Sequence, residues 1–201
     1  MPDQDYAWKS DVHFQAIIAD IKDHPFVTDL KRYPQHIHGN RYVHSFAVAY
    51  YSYKICKALR WDYVAVAHAG LLHDLFYYQQ GEVSFSKGNH LTNHPKIALI
   101  NARLVTDLTP KEEDIILKHM WLATAKLPRY KESFVVTFVD KYVAVDEYVR
   151  PTTRQLLKAF RQFLLRIVFP RVRSARQSDQ IEDVAEEIED TIEENEESNN
   201  E

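Results

Sequence analysis

The stretch Gly70-Leu71-Leu72-His73-Asp74-Leu75-Phe76-Tyr77 places a histidine and an aspartate side by side in an otherwise apolar run. Apolar residues before it recur at helical spacing, and Asp62 can cap their helix, so we expect a helix from 63 to about 77. Two polar side chains inside a buried helix cost desolvation free energy unless hydrogen bonds or a metal ion satisfy both. The pair His73-Asp74 therefore predicts a polar centre in the core.

Other potential metal ligands lie in apolar surroundings elsewhere in the chain. Histidines occur upstream and downstream of His73, and a further aspartate lies in a Val- and Phe-rich helix pattern, where an unpaired carboxylate would be costly. With the central pair they make four imidazoles and two carboxylates, enough for two divalent cations: His44, His73, Asp74, His94, His119 and Asp140.

Three alternatives concern other histidines. His90 lies four residues before His94 and could replace it as a ligand. His36 and His38 lie in an expected loop, where a substrate-contact or capping role is favoured over metal binding. His68 lies on a different face of its helix from His73 and is interpreted as a hydrogen-bonded core histidine.

The periodicity of the chain predicts an all-α fold. Glycine is scarce, at four residues, and apolar side chains recur at helical steps. Expected helices cover 41–59 and 63–77, and others begin at Asp11, His94-Pro95, the capping box Thr109-Pro110-Lys111-Glu112, Ser133 and Pro151. The polar segment 79–93 is expected to be a loop that borders the site.

The order His44, His73-Asp74, His94, His119 and Asp140 resembles the HD-domain superfamily of metal-dependent phosphohydrolases, in the subset with a two-metal site. The similarity covers roughly residues 36 to 150. Within that superfamily the chain is most similar to small stand-alone HD proteins, through three segments: Leu71-Leu72-His73-Asp74, His119-Met120-Trp121 and Pro128-Arg129-Tyr130-Lys131-Glu132-Ser133. The resemblance implies an HD-domain helical bundle.

The resemblance also implies a ligand set. One ion would be held by His44, His73, Asp74 and Asp140, and the other by a bridging Asp74 with His94 and His119. Mixed imidazole and carboxylate ligands suit Mn, Fe, Co, Ni or Zn, while Mg is less at home among histidines. Two such ions imply hydrolysis of a phosphate mono- or diester by a metal-activated water, with nucleotide-like substrates favoured because the superfamily is rich in them.

Basic side chains near these ligands are candidates for substrate contacts. Arg41, Arg129 and Lys131 could orient a phosphate, since a guanidinium can make two parallel hydrogen bonds; a salt bridge is the alternative for Arg41. Lys141 could neutralise bound phosphate or face solvent. With Asp74 it is the predicted catalytic pair, and Lys141, His38 and His90 are candidates to protonate the leaving oxygen.

Length and charge suggest one helical domain, 1–175, followed by an acidic tail, 176–201, that is partly disordered or a docking helix. Of the 201 residues, the first 175 hold 24 Lys and Arg against 17 Asp and Glu, and the tail holds 1 against 12. A basic body suits an anionic, phosphorylated small-molecule substrate. The segment from Pro151 is predicted to form an amphipathic helix that packs on its own domain rather than lying on a membrane.

The remaining features bound the class of protein. The single cysteine, Cys56, excludes an internal disulfide framework, and the expected location is cytoplasmic. No apolar run approaches the roughly 20 residues that cross a bilayer. No nucleic-acid module is evident, and a homo-oligomer is possible. Two rival functions remain: an HD-scaffold di-iron oxygenase and a non-catalytic nucleotide-binding sensor.

Overall fold

The computed structural model describes residues 6–35, 39–147 and 149, which fall within one compact unit, Met1–Pro151. The predicted helix from Pro151, the acidic tail 176–201 and the loop histidines His36 and His38 lie outside the described residues. Within the described residues the all-α prediction is confirmed, since helices dominate and strands form only a short two-stranded sheet.

The helices and strands follow one another in a simple order. After three short helices and a 3-10 turn, Leu30–Arg32, a small antiparallel pair leads into four longer helices. Their bounds are α1 Ala7–Ser10, α2 Val12–Ile17, α3 Pro25–Asp29, β1 Pro34–Gln35, β2 Gly39–Asn40, α4 Arg41–Ala58, α5 Tyr63–Leu72, α6 His90–Ala102 and α7 Pro110–Lys118. A last helix, α8, covers 131–147 of the described chain.

The centre of the bundle is α5, which packs closely on α4 and also contacts α6 and α7. A Cβ atom added at Gly70 would lie 2.8 Å from the Cα atom of Ala49, so the two helix backbones approach closely at this point. Val66, Ala67 and Leu71 are fully buried in the same core. This packing fixes the end of α5, from which the His73-Asp74 pair follows.

Several predicted helix starts are confirmed. The side chain of Asp62 accepts a hydrogen bond from the backbone N–H of Ala65 at 3.1 Å, and Asp11 accepts one from Phe14 at 3.0 Å. Thr109 and Glu112 form the predicted reciprocal capping box. The prediction for Ser133 was wrong, because α8 begins two residues earlier, at 131, and the Ser133 hydroxyl donates instead to Asp114 at 2.8 Å.

Two element boundaries differ from expectation around the site. The helix expected to reach about residue 77 ends at Leu72, since the N–H groups of Leu75 and Phe76 bond the carbonyls of Leu72 and Asp74 rather than carbonyls four residues earlier. The helix expected to open at His94 begins at His90, because Asn89 and Thr92 form a capping box one turn earlier. The non-helical segment therefore covers 73–89 instead of the predicted 79–93.

No helix among the described residues combines the length and the apolar character needed to span a membrane.

Candidate metal centre

The structure brings all six predicted ligands together in the core. His44 lies near the start of α4, His73 and Asp74 directly follow α5, and His119 directly follows α7. His94 lies in the second turn of α6, and Asp140 lies in α8. All six residues are buried. Adjacent residues on a helical backbone differ by about 100° in direction, so both side chains can reach one centre that lies between their faces.

On one side of the cluster, imidazole nitrogens surround the Asp140 carboxylate. Its Oδ1 atom lies 3.1 Å from the Nε2 atom of His44 and 3.5 Å from the Nε2 atom of His73. The His73 Nε2 atom is also 3.7 Å from Oδ2 of Asp74. One ligand atom from each of His44, His73 and Asp140 can be chosen so that all lie within 4.8 Å of one another, so this group could hold a metal ion.

On the other side, two histidines surround the second oxygen of Asp74. The Oδ1 atom of Asp74 lies 3.4 Å from Nε2 of His94 and 3.5 Å from Nε2 of His119. The two Nε2 atoms are 2.9 Å apart. His73, Asp74 and His119 also have ligand atoms within 4.8 Å of one another. The two oxygens of Asp74 thus face different histidines.

Backbone carbonyls orient three of the four rings. The Nδ1 atom of His73 lies 2.8 Å from the Gly70 carbonyl oxygen, that of His94 lies 2.9 Å from His90, and that of His119 lies 2.7 Å from Ile116. A carbonyl can only accept, so Nδ1 must carry a proton in each ring. In a neutral ring the Nε2 atom then carries a free lone pair. Here this lone pair points into the cluster, as in many histidine metal sites.

The fourth ring, His44, is oriented by a side chain that the sequence reasoning missed. Its Nδ1 atom lies 3.1 Å from Oε2 of Glu147. Glu147 follows Asp140 by seven residues, so the two carboxylates lie on one face of α8. The only signal in the sequence was this spacing of two acidic residues along the last described helix.

The protonation preferences differ between the two sides. Burial alone would lower the pKa of His44, but its hydrogen bonds to Asp140 and Glu147 raise that pKa to about 10. Burial lowers the pKa of His119 to about 3, helped by the nearby His73 and His94. Burial likewise lowers the pKa of His94. The His94 and His119 rings are therefore neutral at physiological pH and are available as ligands.

The carboxylates stay ionised. Burial would raise the pKa of Asp74, but the positive field of His73 lowers it. Burial would likewise raise the pKa of Asp140, but the hydrogen bond from His44 and the positive field of His73 hold it well below its usual value.

Two of these buried atoms have no hydrogen-bond partner within the described residues: Nε2 of His73 and Oδ1 of Asp74. A buried polar atom without a partner costs on the order of 1–3 kcal/mol. Both atoms point into the cluster, where a divalent cation would satisfy them. The donor set therefore fits a metal ion.

A cavity of about 570 Å³ opens onto the cluster. Lys141 lines this cavity, and its Nζ atom donates to the His119 carbonyl at 3.0 Å and lies 3.6 Å from Oδ2 of Asp140. His90 also lines it, with Nδ1 3.2 Å from the hydroxyl of Tyr78, and burial lowers the pKa of His90 to about 4. Glutamine side chains, Gln35, Gln79 and Gln80, supply neutral polar groups to the wall.

Arg41 lines the cavity but is already engaged. Its guanidinium donates to the carbonyls of Phe76 and Tyr78, and to the side chain of Gln35 at 3.4 Å. It also stacks 3.5 Å from the centre of the Phe76 ring. These hydrogen bonds are neither a phosphate contact nor a salt bridge, the two roles expected of Arg41. They fix the segment after Asp74. A contact between Arg41 and phosphate stays a prediction.

The structure does not bring the other two predicted substrate-binding residues to the cluster. The Lys131 ammonium group lies 4.4 Å above the Trp61 ring, at the opposite end of α5 from His73. Arg129 is exposed, and its backbone N–H donates to Asp114 at 2.9 Å. Neither residue lines the cavity. The segment that carries Arg129 is held at the α7–α8 junction because Asp114 accepts hydrogen bonds from both Arg129 and Ser133.

His68 takes the structural role expected of it. Its Nε2 atom donates to the Ile17 carbonyl at 2.8 Å, and Nδ1 lies 3.3 Å from Glu112.

A second cavity of about 510 Å³ is lined by Lys9, Lys22, Lys31 and several aromatic side chains. It contains none of the six clustered ligands, so the larger cavity is the one relevant to chemistry.

Comparison with known proteins adds no assignment: no family model, no curated protein and no solved structure matches this chain.

Proposed function

We propose that this protein is a metal-dependent phosphohydrolase of the HD-domain type, which cleaves a phosphate mono- or diester. The observation that carries the proposal is the position of Asp74. One oxygen of this carboxylate faces His94 and His119 at 3.4 and 3.5 Å, and the other faces His73 at 3.7 Å. A carboxylate placed between two imidazole groups is suited to bridge two cations.

The two groups of side chains divide the ligands as follows. His44, His73, Asp140 and one oxygen of Asp74 would hold one ion, and the other oxygen of Asp74 with His94 and His119 would hold the second. Imidazole-rich ligation favours Mn, Fe, Co, Ni or Zn over Mg. When bound, such ions lower the pKa of a coordinated water and neutralise phosphoryl oxygens.

Within the cavity, Lys141 is the basic side chain placed to act on the substrate. Its ammonium group lies beside Asp140 and His119, where it could donate a hydrogen bond to a phosphoryl or leaving oxygen. Gln79 and Gln80 offer uncharged hydrogen-bonding groups to the rest of the substrate. His90 has a lowered pKa, so it is neutral at physiological pH and could donate only through a neutral ring N–H.

Metal analysis coupled to a phosphate-release screen tests this function. The full chain is stripped of metal, reloaded under anaerobic conditions with Mn²⁺, Co²⁺ or Zn²⁺, and incubated with phosphomonoesters, phosphodiesters and nucleotides. We expect phosphate or monoester release that depends on added metal and is lost in D74A and H73A, with helical content retained. Metal-dependent turnover by D74A would overturn the proposal.

The screen also separates the rival activities. Oxygen consumption by the iron-loaded protein, without phosphate release under anaerobic conditions, would identify an oxygenase instead. Nucleotide binding without turnover of any substrate would identify a sensor.

A further inference from the structure

Glu147 makes His44 different from the other rings of the cluster. His73, His94 and His119 each bond a backbone carbonyl through Nδ1. His44 instead bonds the side chain of Glu147, which is 103 residues away in sequence. Backbone carbonyls are fixed by the helices that carry them, whereas a glutamate side chain must itself be held in place.

The two carboxylates of α8 lie against opposite edges of the His44 ring. Asp140 faces Nε2 at 3.1 Å and Glu147 faces Nδ1 at 3.1 Å. Seven helical residues separate their Cα atoms by about 10.5 Å. Because helical side chains tilt towards the amino terminus, the longer Glu147 can reach back along α8 to the same ring as the shorter Asp140.

Burial of the His44 ring limits the other hydrogen-bond partners, including water, that could replace Glu147. The His44 side chain is 1% exposed and that of Glu147 is 20% exposed, so the pair is largely shielded from water. A shielded ring that loses its Nδ1 acceptor can keep its proton on Nε2 or rotate, and either change removes the Nε2 lone pair that a metal ion would need.

We propose that Glu147 is a positioning residue, which fixes the tautomer and orientation of His44 so that its Nε2 atom can bind the ion shared with His73 and Asp140. This inference rests on the metal centre of the proposed function. It does not rest on phosphate ester hydrolysis as the reaction.

The test measures ion affinity rather than turnover. Mn²⁺ binding to the full-length, metal-free chain is followed by equilibrium dialysis for wild type, E147A, E147Q and E147D. We expect E147A to bind one of its ions roughly 10- to 100-fold more weakly, the usual effect of removing the partner of a ligating histidine. The ion held through His94 and His119 should keep its affinity.

The conservative variants separate positioning from simple charge. E147Q keeps the length of the side chain and an acceptor oxygen, so it should recover most of the lost affinity. E147D keeps the charge but is one methylene shorter, so it should not. D107N removes an exposed charge beyond the far end of α7 and serves as the control. The comparison of E147Q with E147D remains decisive if E147A fails to fold.

Four outcomes would count against parts of this scheme. Wild-type affinity in both E147A and E147D, or recovery by E147D and not by E147Q, would overturn the positioning role. A wild-type chain that binds no Mn²⁺ would overturn both the role and the proposed function. Loss of affinity in E147A and E147D, recovery in E147Q, and no hydrolysis by wild type would overturn the proposed function and support the role of Glu147.

Discussion

The Nε2 atoms of His94 and His119 face each other at 2.9 Å, while the Nδ1 atom of each ring faces a backbone carbonyl. With the Nδ1 atoms protonated, both Nε2 atoms are acceptors, and two facing lone pairs repel each other. The pKa of both rings is lowered by burial, which disfavours a shared proton. A cation bound by both nitrogens would relieve this repulsion.

This pair predicts that the two ions can be removed separately. In H119A the second ion loses one of its two imidazole ligands, so we expect bound Mn²⁺ to fall by about one ion per chain. Metal content after dialysis measures the loss. H13A changes an exposed histidine in α2 and should leave the content unchanged. A full complement of ions in H119A would show that His119 is a core histidine.

The raised pKa of His44 predicts a pH dependence of stability in the metal-free protein. The folded pKa is raised from 6.5 to about 10, so protonated His44 stabilises the fold. This contribution is fully present below pH 6.5 and is lost as the pH rises through about 10. The thermal midpoint in chelator should therefore fall more steeply between pH 7 and 10 for wild type than for H44A. Parallel curves would contradict the assigned hydrogen bonds.

The sequence pointed to the six clustered residues but not to the residues that support them. Polar side chains in apolar runs and the HD-domain resemblance drew attention to the six, and local caps such as Asp62 and Thr109 act within three residues of themselves. The support comes from residues distant in sequence. Asn101 donates to the Leu75 carbonyl just beyond α5, and Glu147 meets His44 only because α8 packs beside α4.

Arg41 shows that charge and position in the sequence do not reveal all the contacts of a side chain. Its place one turn before His44 suggested a phosphate ligand, and that reasoning was sound for an isolated helix. The early end of α5 leaves the carbonyls of Phe76 and Tyr78 without helical partners, and the guanidinium bonds both. No pattern in the sequence gives the position at which α5 ends. The hydrogen bonds from Arg41 to these two carbonyls therefore could not be predicted.

Gly70 should be intolerant of any side chain. A Cβ atom there would lie 2.8 Å from the Cα atom of Ala49, so α4 and α5 would have to move apart. Despite the higher helix propensity of alanine, we expect G70A to lower the free energy of unfolding by about 1–3 kcal/mol, as overpacking usually does. In the matched variant G39A the nearest atom lies 3.4 Å away, so the effect should be smaller. Urea unfolding of both proteins measures the difference, and a G70A protein as stable as wild type would refute the close approach.

Substitution of Arg41 tests whether its hydrogen bonds stabilise the wall of the cavity. The side chain is 3% exposed, and R41K replaces a planar fork by a single ammonium group that cannot reach both carbonyls. A hydrogen bond to a charged group contributes about 1.5–3 kcal/mol, so the loss of one should lower the free energy of unfolding of R41K by about this amount.

The control for R41K is R103K, which changes an arginine that is 55% exposed and paired with Glu113. Exposed ion pairs contribute about 0–1 kcal/mol, so R103K should remain near wild type. If Arg41 serves only to contact phosphate, R41K will unfold like wild type and will lose affinity for substrate alone. Loss of stability in R41K without substrate, and not in R103K, would instead show that the guanidinium holds residues 76 and 78 beside the metal ligands.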